Sequence, residues 1–74
     1  MPKAYVMFTI ETGYMASVMI NLQKMPKISE SYALYGVYDI ICKLDTKTND
    51  ELRENVSIIR NIRGVNATIT MIVS

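Results

Sequence analysis

The chain has 74 residues, half of them hydrophobic, with eight basic and seven acidic side chains and a net charge of +1. That length holds one domain, which buries only about 60% of the surface its unfolded form exposes and so needs support from outside its own core. A lone cysteine (Cys42) and no histidine exclude an intrachain disulfide and a Cys/His zinc site, and the balanced charge lacks the basic excess that nucleic-acid binding demands.

Residues 4–11, AYVMFTIE, alternate Ala4, Val6, Phe8 and Ile10 with Tyr5, Met7, Thr9 and Glu11, which predicts a first strand with one apolar face. Thr12-Gly13 breaks the pattern. From Tyr14 to about Met25 the spacing of Met15, Val18, Met19 and Leu22 is that of a helix stripe, stopped by Pro26. Ile28 to Tyr35 reads as a second, more polar strand. Gly36-Val37 is expected to form a two-residue type II′ hairpin turn, with glycine where φ must be positive. Tyr38 to Asp45 is the third strand, with Tyr38, Ile40, Cys42 and Leu44 on one face and Asp39, Ile41, Lys43 and Asp45 on the other. TNDE at Thr48–Glu51 matches a capping box, Leu52, Val56, Ile59 and Ile62 continue as a helix stripe, and Gly64 fits the left-handed position just past the helix end. The closing strand, VNATITMIV, is expected to turn Val65, Ala67, Ile69, Met71 and Val73 toward the core.

The order β-α-β-β-α-β predicts an α+β, ferredoxin-like sandwich: a four-stranded antiparallel sheet with two helices on one face and strands one and three in the centre. The opposite face is then Tyr5, Met7, Thr9, Ala33, Tyr35, Asp39, Ile41, Lys43, Thr68, Thr70 and Ile72. Such a face is too apolar for a solvated sheet. It is expected to be a subunit interface, with Tyr5, Met7, Thr9, Ala33, Ile41 and Thr68 in the contact; the alternative is a lone domain with a greasy surface.

The hairpin Gly36-Val37-Tyr38-Asp39, the turn Arg63-Gly64-Val65 and the closing Thr68-Ile69-Thr70 form an ordered set over nearly the whole chain. This set resembles the effector-binding module, the RAM domain, of the Lrp/AsnC transcription regulators. The resemblance implies dimers formed through the sheets, rings of dimers, and an amino acid effector held between neighbouring dimers. Full-length family members also carry an N-terminal DNA-binding helix-turn-helix. Here the first RAM strand comes at the start, so residues 1–74 are expected to be a single RAM-like domain that does not contact nucleic acid directly.

An amino acid presents an ammonium and a carboxylate, so its site needs an acceptor and donors. The resemblance assigns effector binding to the acid of the G-x-Y-D pattern, Asp39, where a charge-assisted contact to an ammonium is strong. Gly36 lets backbone approach the ligand closely. Tyr35 and Tyr38 are candidate pocket walls, with Thr70 and Ile72 as weaker candidates. The competing reading makes Asp39 a residue that hydrogen-bonds its own hairpin and Tyr38 a core residue alternating with Ile40 and Cys42. Cys42 itself reads as a small buried hydrophobe.

No histidine, no Ser or Cys with a base partner and no glycine-rich phosphate loop is present, so an enzyme is not expected, and neither is a cofactor or a metal. The expected function is a cytoplasmic amino-acid-binding and oligomerisation module linked to transcriptional regulation. The lone cysteine and the absence of a signal-peptide pattern or membrane-length apolar run set the compartment. A ligand-free adaptor that mixes with full-length Lrp/AsnC regulators is the alternative.

Overall fold

The computed structural model describes all 74 residues, in the order β1 (Lys3–Ile10), α1 (Met15–Gln23), β2 (Ile28–Ala33), β3 (Ile40–Asp45), α2 (Asn49–Arg60) and β4 (Val65–Ile72). The strands form one antiparallel sheet in the order β2-β3-β1-β4. This is the ferredoxin-like βαββαβ arrangement, with β1 and β3 central as the pattern implied. No helix is long and apolar enough to cross a membrane.

The core follows from two periods meeting. Period-two alternation buries Ala4, Val6 and Phe8 of β1 and Ile40, Cys42 and Leu44 of β3. The helical stripes set Val18 and Leu22 of α1 and Leu52 and Ile59 of α2 against them. Each large side chain buried in this way contributes about 1.5–3 kcal/mol. The N-terminus of α2 is fixed by its own sequence. Thr48 Oγ1 accepts a hydrogen bond from the Glu51 N–H at 3.1 Å, and the Glu51 carboxylate reaches back to the Lys47 N–H at 3.0 Å, one residue before the cap. That contact, helped by the Lys27 ammonium 3.6 Å away, holds the Glu51 carboxyl below its ordinary range.

Gly64 does not cap α2 directly. The helix stops at Arg60 with Asn61 as its cap, and Gly64 lies in the following turn, where the Val65 N–H donates to the Ile62 carbonyl at 3.1 Å. Its φ of +99° needs glycine, and a β-carbon there would lie 2.5 Å from the Tyr14 side chain. The Gly64 carbonyl also accepts the Glu11 N–H at 2.8 Å, and the Arg63 guanidinium stands 5.8 Å from the Tyr14 ring. The turn therefore joins α2 to both the end of β1 and the start of α1.

Two bulges decide which residues face where. Between Phe8 and Ile10 β1 advances two residues, while β4 advances three from Val65 to Thr68. The extra β4 residue, at Asn66-Ala67, reverses the alternation beyond it. Val65 packs on the core, but Thr68, Thr70 and Ile72 stand opposite Phe8, Val6 and Ala4 on the helix side, while Ile69 and Met71 stand opposite Met7 and Tyr5 on the open side. The expected facing of β4 is thus corrected for all residues after the bulge. In β2, Ile28 pairs with Leu44 and Glu30 with Lys43, so Ser29 is the extra residue. Ala33, opposite the buried Ile40, consequently lies on the helix side, also contrary to expectation, and Tyr32 lies on the open side opposite Ile41.

Candidate functional site

The expected type II′ turn at Gly36-Val37 is absent. Positive φ occurs only at Gly13 and Gly64. The second strand ends at Ala33, and the Leu34 N–H donates to the Asp39 carbonyl at 2.7 Å, so residues 34–39 form the connection. That bond closes the connection around four residues, 35–38, where a two-residue turn would pair Tyr35 with Tyr38, and the Asp39 N–H is taken by the Phe8 carbonyl of β1 at 3.0 Å. Tyr35 projects fully into solvent, Val37 is exposed, and a β-carbon on Gly36 would meet nothing within 4 Å. Tyr38 is half-buried in the connection, outside β3 and outside the core, so the alternation expected to carry it inward does not extend to it.

Asp39 is the most constrained member of the group. Its Oδ2 accepts the Ile10 N–H at 2.7 Å, so the carboxylate stands in for a strand carbonyl where the β1–β3 ladder ends. This contact reaches across to β1, not within the hairpin as the competing sequence reading supposed. The second oxygen, Oδ1, accepts no hydrogen bond from the chain. Asp39 thus has one oxygen committed to the fold and one free for a donor.

Thr70 and Ile72 do not join this group. They lie beside α2 on the helix side, opposite Val6 and Ala4 at the other end of β1. From the Asp39 level at Thr9 to Ala4 is five residues, roughly 16 Å along a strand. Tyr35, Gly36, Tyr38 and Asp39 are contiguous, and no hollow on the chain includes a residue of 34–39.

Of the residues expected at the subunit contact, Tyr5, Met7, Thr9 and Ile41 do lie on the open face, whereas Ala33 and Thr68 do not. Thr9 is partly engaged already, since its Oγ1 accepts the Ala67 N–H of the bulge at 3.1 Å. Tyr32, Ile69 and Met71 belong to the face and were missed. The face is therefore more apolar than the sequence pattern implied. Tyr32, Ile69 and Met71 are each at least 40% exposed in the single chain. Asn66, a poor strand former just inside β4, is the one sequence cue to the bulge responsible. A hollow of about 140 Å³ on this face lies between Tyr5 and Tyr32, with Glu30 and Lys43 paired at 3.9 Å beside it. The Tyr32 hydroxyl donates to Glu30, which raises its pKa. On the helix side, Cys42 is buried, and burial pushes its thiol up to about 11, so it is not a nucleophile near neutral pH.

Comparison with known proteins places this geometry. Residues 3–74 match the family described as the Lrp/AsnC ligand binding domain. An HTH-type transcriptional regulator, FL11 of Pyrococcus horikoshii, is 39% identical over 70 residues, which are 95% of this chain and 46% of that protein. The chain therefore spans about half the length of the curated relatives it matches. The crystal structure of FFRP-DM1 superposes with a TM-score of 0.94 at 33% identity, covering all of both chains. Transcriptional regulator NMB0573 of Neisseria meningitidis, solved as its L-Met complex, shares the fold with a TM-score of 0.89 at 16% identity over 99% of this chain and 49% of its own. With the match running from the first strand to the last residue, the chain belongs to the Lrp/AsnC ligand-binding domain family.

Proposed function

We propose that this regulatory domain binds an amino acid effector at a site around Asp39 that neighbouring subunits complete, and that it assembles through the open face of its sheet. One observation carries the reading. Residues 34–39 present a carboxylate with one oxygen fixed and the other free, yet nothing in the same chain closes a pocket around it. The free Oδ1 suits an ammonium. Tyr35, Gly36 and Tyr38 form the rim on this side, and a second subunit supplies the rest. The L-Met complex of a regulator with the same fold supports the class of ligand. Pairing of two open faces covers Tyr5, Met7, Tyr32, Ile41, Ile69 and Met71, and further assembly of such dimers into rings brings loops of neighbouring pairs together. Mixing with longer relatives is a route from effector binding to transcription.

A second reading, an adaptor without ligand, is favoured by the Asp39–Ile10 hydrogen bond, which accounts for the acid through the fold alone. A thermal-shift screen of the twenty amino acids separates the two. Ligand at about 100 times its Kd adds about 2.7 kcal/mol, a shift on the order of 10 °C for a domain of this size. Asp39→Asn keeps a carbonyl oxygen for the Ile10 N–H and removes the charge, so it should retain the unliganded Tm and lose the response. Asp39→Ala removes both and should cost about 1–2 kcal/mol. If no amino acid raises Tm, the adaptor reading stands. An Asp39→Asn variant that responds like the parent removes Asp39 from the site.

A further inference from the structure

We infer that the cleft between α2 and β4 is a second small-molecule site, one that takes an aliphatic organic carboxylate carrying no amino group. Thr70 and Ile72 lead to it. They are far from Asp39, and they share a hollow of about 390 Å³ with one flank of α2, a volume within the usual range of about 300–1,000 Å³ for small-molecule sites. The hollow exists because α2 leaves the edge strand partly uncovered: Ile72 faces the helix layer and is still 67% exposed.

Its lining divides by chemistry. Leu52, Val56 and Ile72 give an apolar floor, while Arg53, Arg60, Ser57 and Thr70 supply only donors and hydroxyls. The two arginines are seven residues apart on α2, about 10 Å along the axis. Arg60 makes no ion pair in the chain, and Arg53 pairs only with Asp50, which does not line the hollow. The Thr70 hydroxyl is without a hydrogen-bond partner in the chain. The unpaired Arg60 guanidinium and the Thr70 hydroxyl match a carboxylate, and the floor matches a short hydrocarbon body. Equally informative is what is missing. No carboxylate lines the hollow, so the ammonium of an amino acid bound at Arg60 would meet no lining acceptor of opposite charge. The hollow therefore selects against zwitterions, the reverse of the chemistry at Asp39, and does not depend on that site.

The test compares 4-methylpentanoate with L-leucine, which differs from it only by the amino group, and with inorganic phosphate at matched ionic strength. Calorimetry on the full chain should show saturable binding of 4-methylpentanoate, weakened at least tenfold in Arg60→Gln and severalfold in Thr70→Val. Both substitutions keep local propensity and shape at exposed positions. The Ile72 methyl resonances should move with 4-methylpentanoate and not with leucine, and Asp39→Asn should leave this affinity within twofold. Unchanged affinity in Arg60→Gln, displacement by leucine, or an equal response to phosphate overturns the proposal. So does a change of oligomer mass in Arg60→Gln, which would make the arginines a subunit contact.

Discussion

The reversal of β4 facing after its bulge makes a sharp prediction, because neighbouring residues are assigned to opposite sides of the sheet. Ile69→Glu and Thr70→Glu place the same charge one residue apart. Ile69 is 42% exposed in the single chain. Full burial of such a side chain is worth about 1.5–3 kcal/mol, so covering the remaining two-fifths contributes about 0.6–1.3 kcal/mol. A twofold interface counts it twice, about 1.2–2.5 kcal/mol. Burying an unpaired carboxylate in its place adds a desolvation cost of several kcal/mol per copy. The sum is enough to weaken association by well over a hundredfold. Glu at position 70, on the helix side within the hollow that Arg60 lines, escapes that penalty. Light scattering at micromolar concentration should therefore find the parent and Thr70→Glu associated and Ile69→Glu monomeric. If Thr70→Glu dissociates while Ile69→Glu remains associated, the facing of β4 derived from the bulge is wrong; if the parent is a monomer, the open face is not an interface.

Gly64→Ala forces an L-residue into positive φ and drives its β-carbon against Tyr14, so urea unfolding should show a loss of about 1–3 kcal/mol, and a variant as stable as the parent would refute the account of that turn. The depressed Glu51 carboxyl stabilises the fold fully above the unfolded value of about 4.3. That contribution disappears as pH falls below it, so Tm should drop on acidification and drop less in Glu51→Gln; superimposable curves would exclude the contact. Cys42, with its thiol near 11, is about 0.1% thiolate at pH 8. A thiol reagent should modify it only after denaturation, and rapid stoichiometric labelling of the folded chain would contradict its burial.

Much of the fold is written locally. The alternation of β1, the α2 stripe and the Thr48/Glu51 cap depend on residues within a few positions of one another, and their spacing alone sets strand, helix and helix start. The two central strands and the core face follow from them. The conformation of residues 34–39 is not written locally, because Asp39 is held by β1.

The sequence by itself determined which segments are strands and helices, and which faces of β1 and β3 are apolar, because period and propensity are properties of a short stretch. Only the tertiary structure decided the facing of β4 and the form of the 34–39 connection. Both turn on pairing between distant residues: the Asn66-Ala67 bulge against Thr9, and the Asp39 backbone and carboxylate bound to Phe8 and Ile10 of β1. A one-residue change of register exchanges every side chain after it between the two faces. The exchange moved Ile69 and Met71 to the open face, and Thr70 and Ile72 to the cleft beside α2.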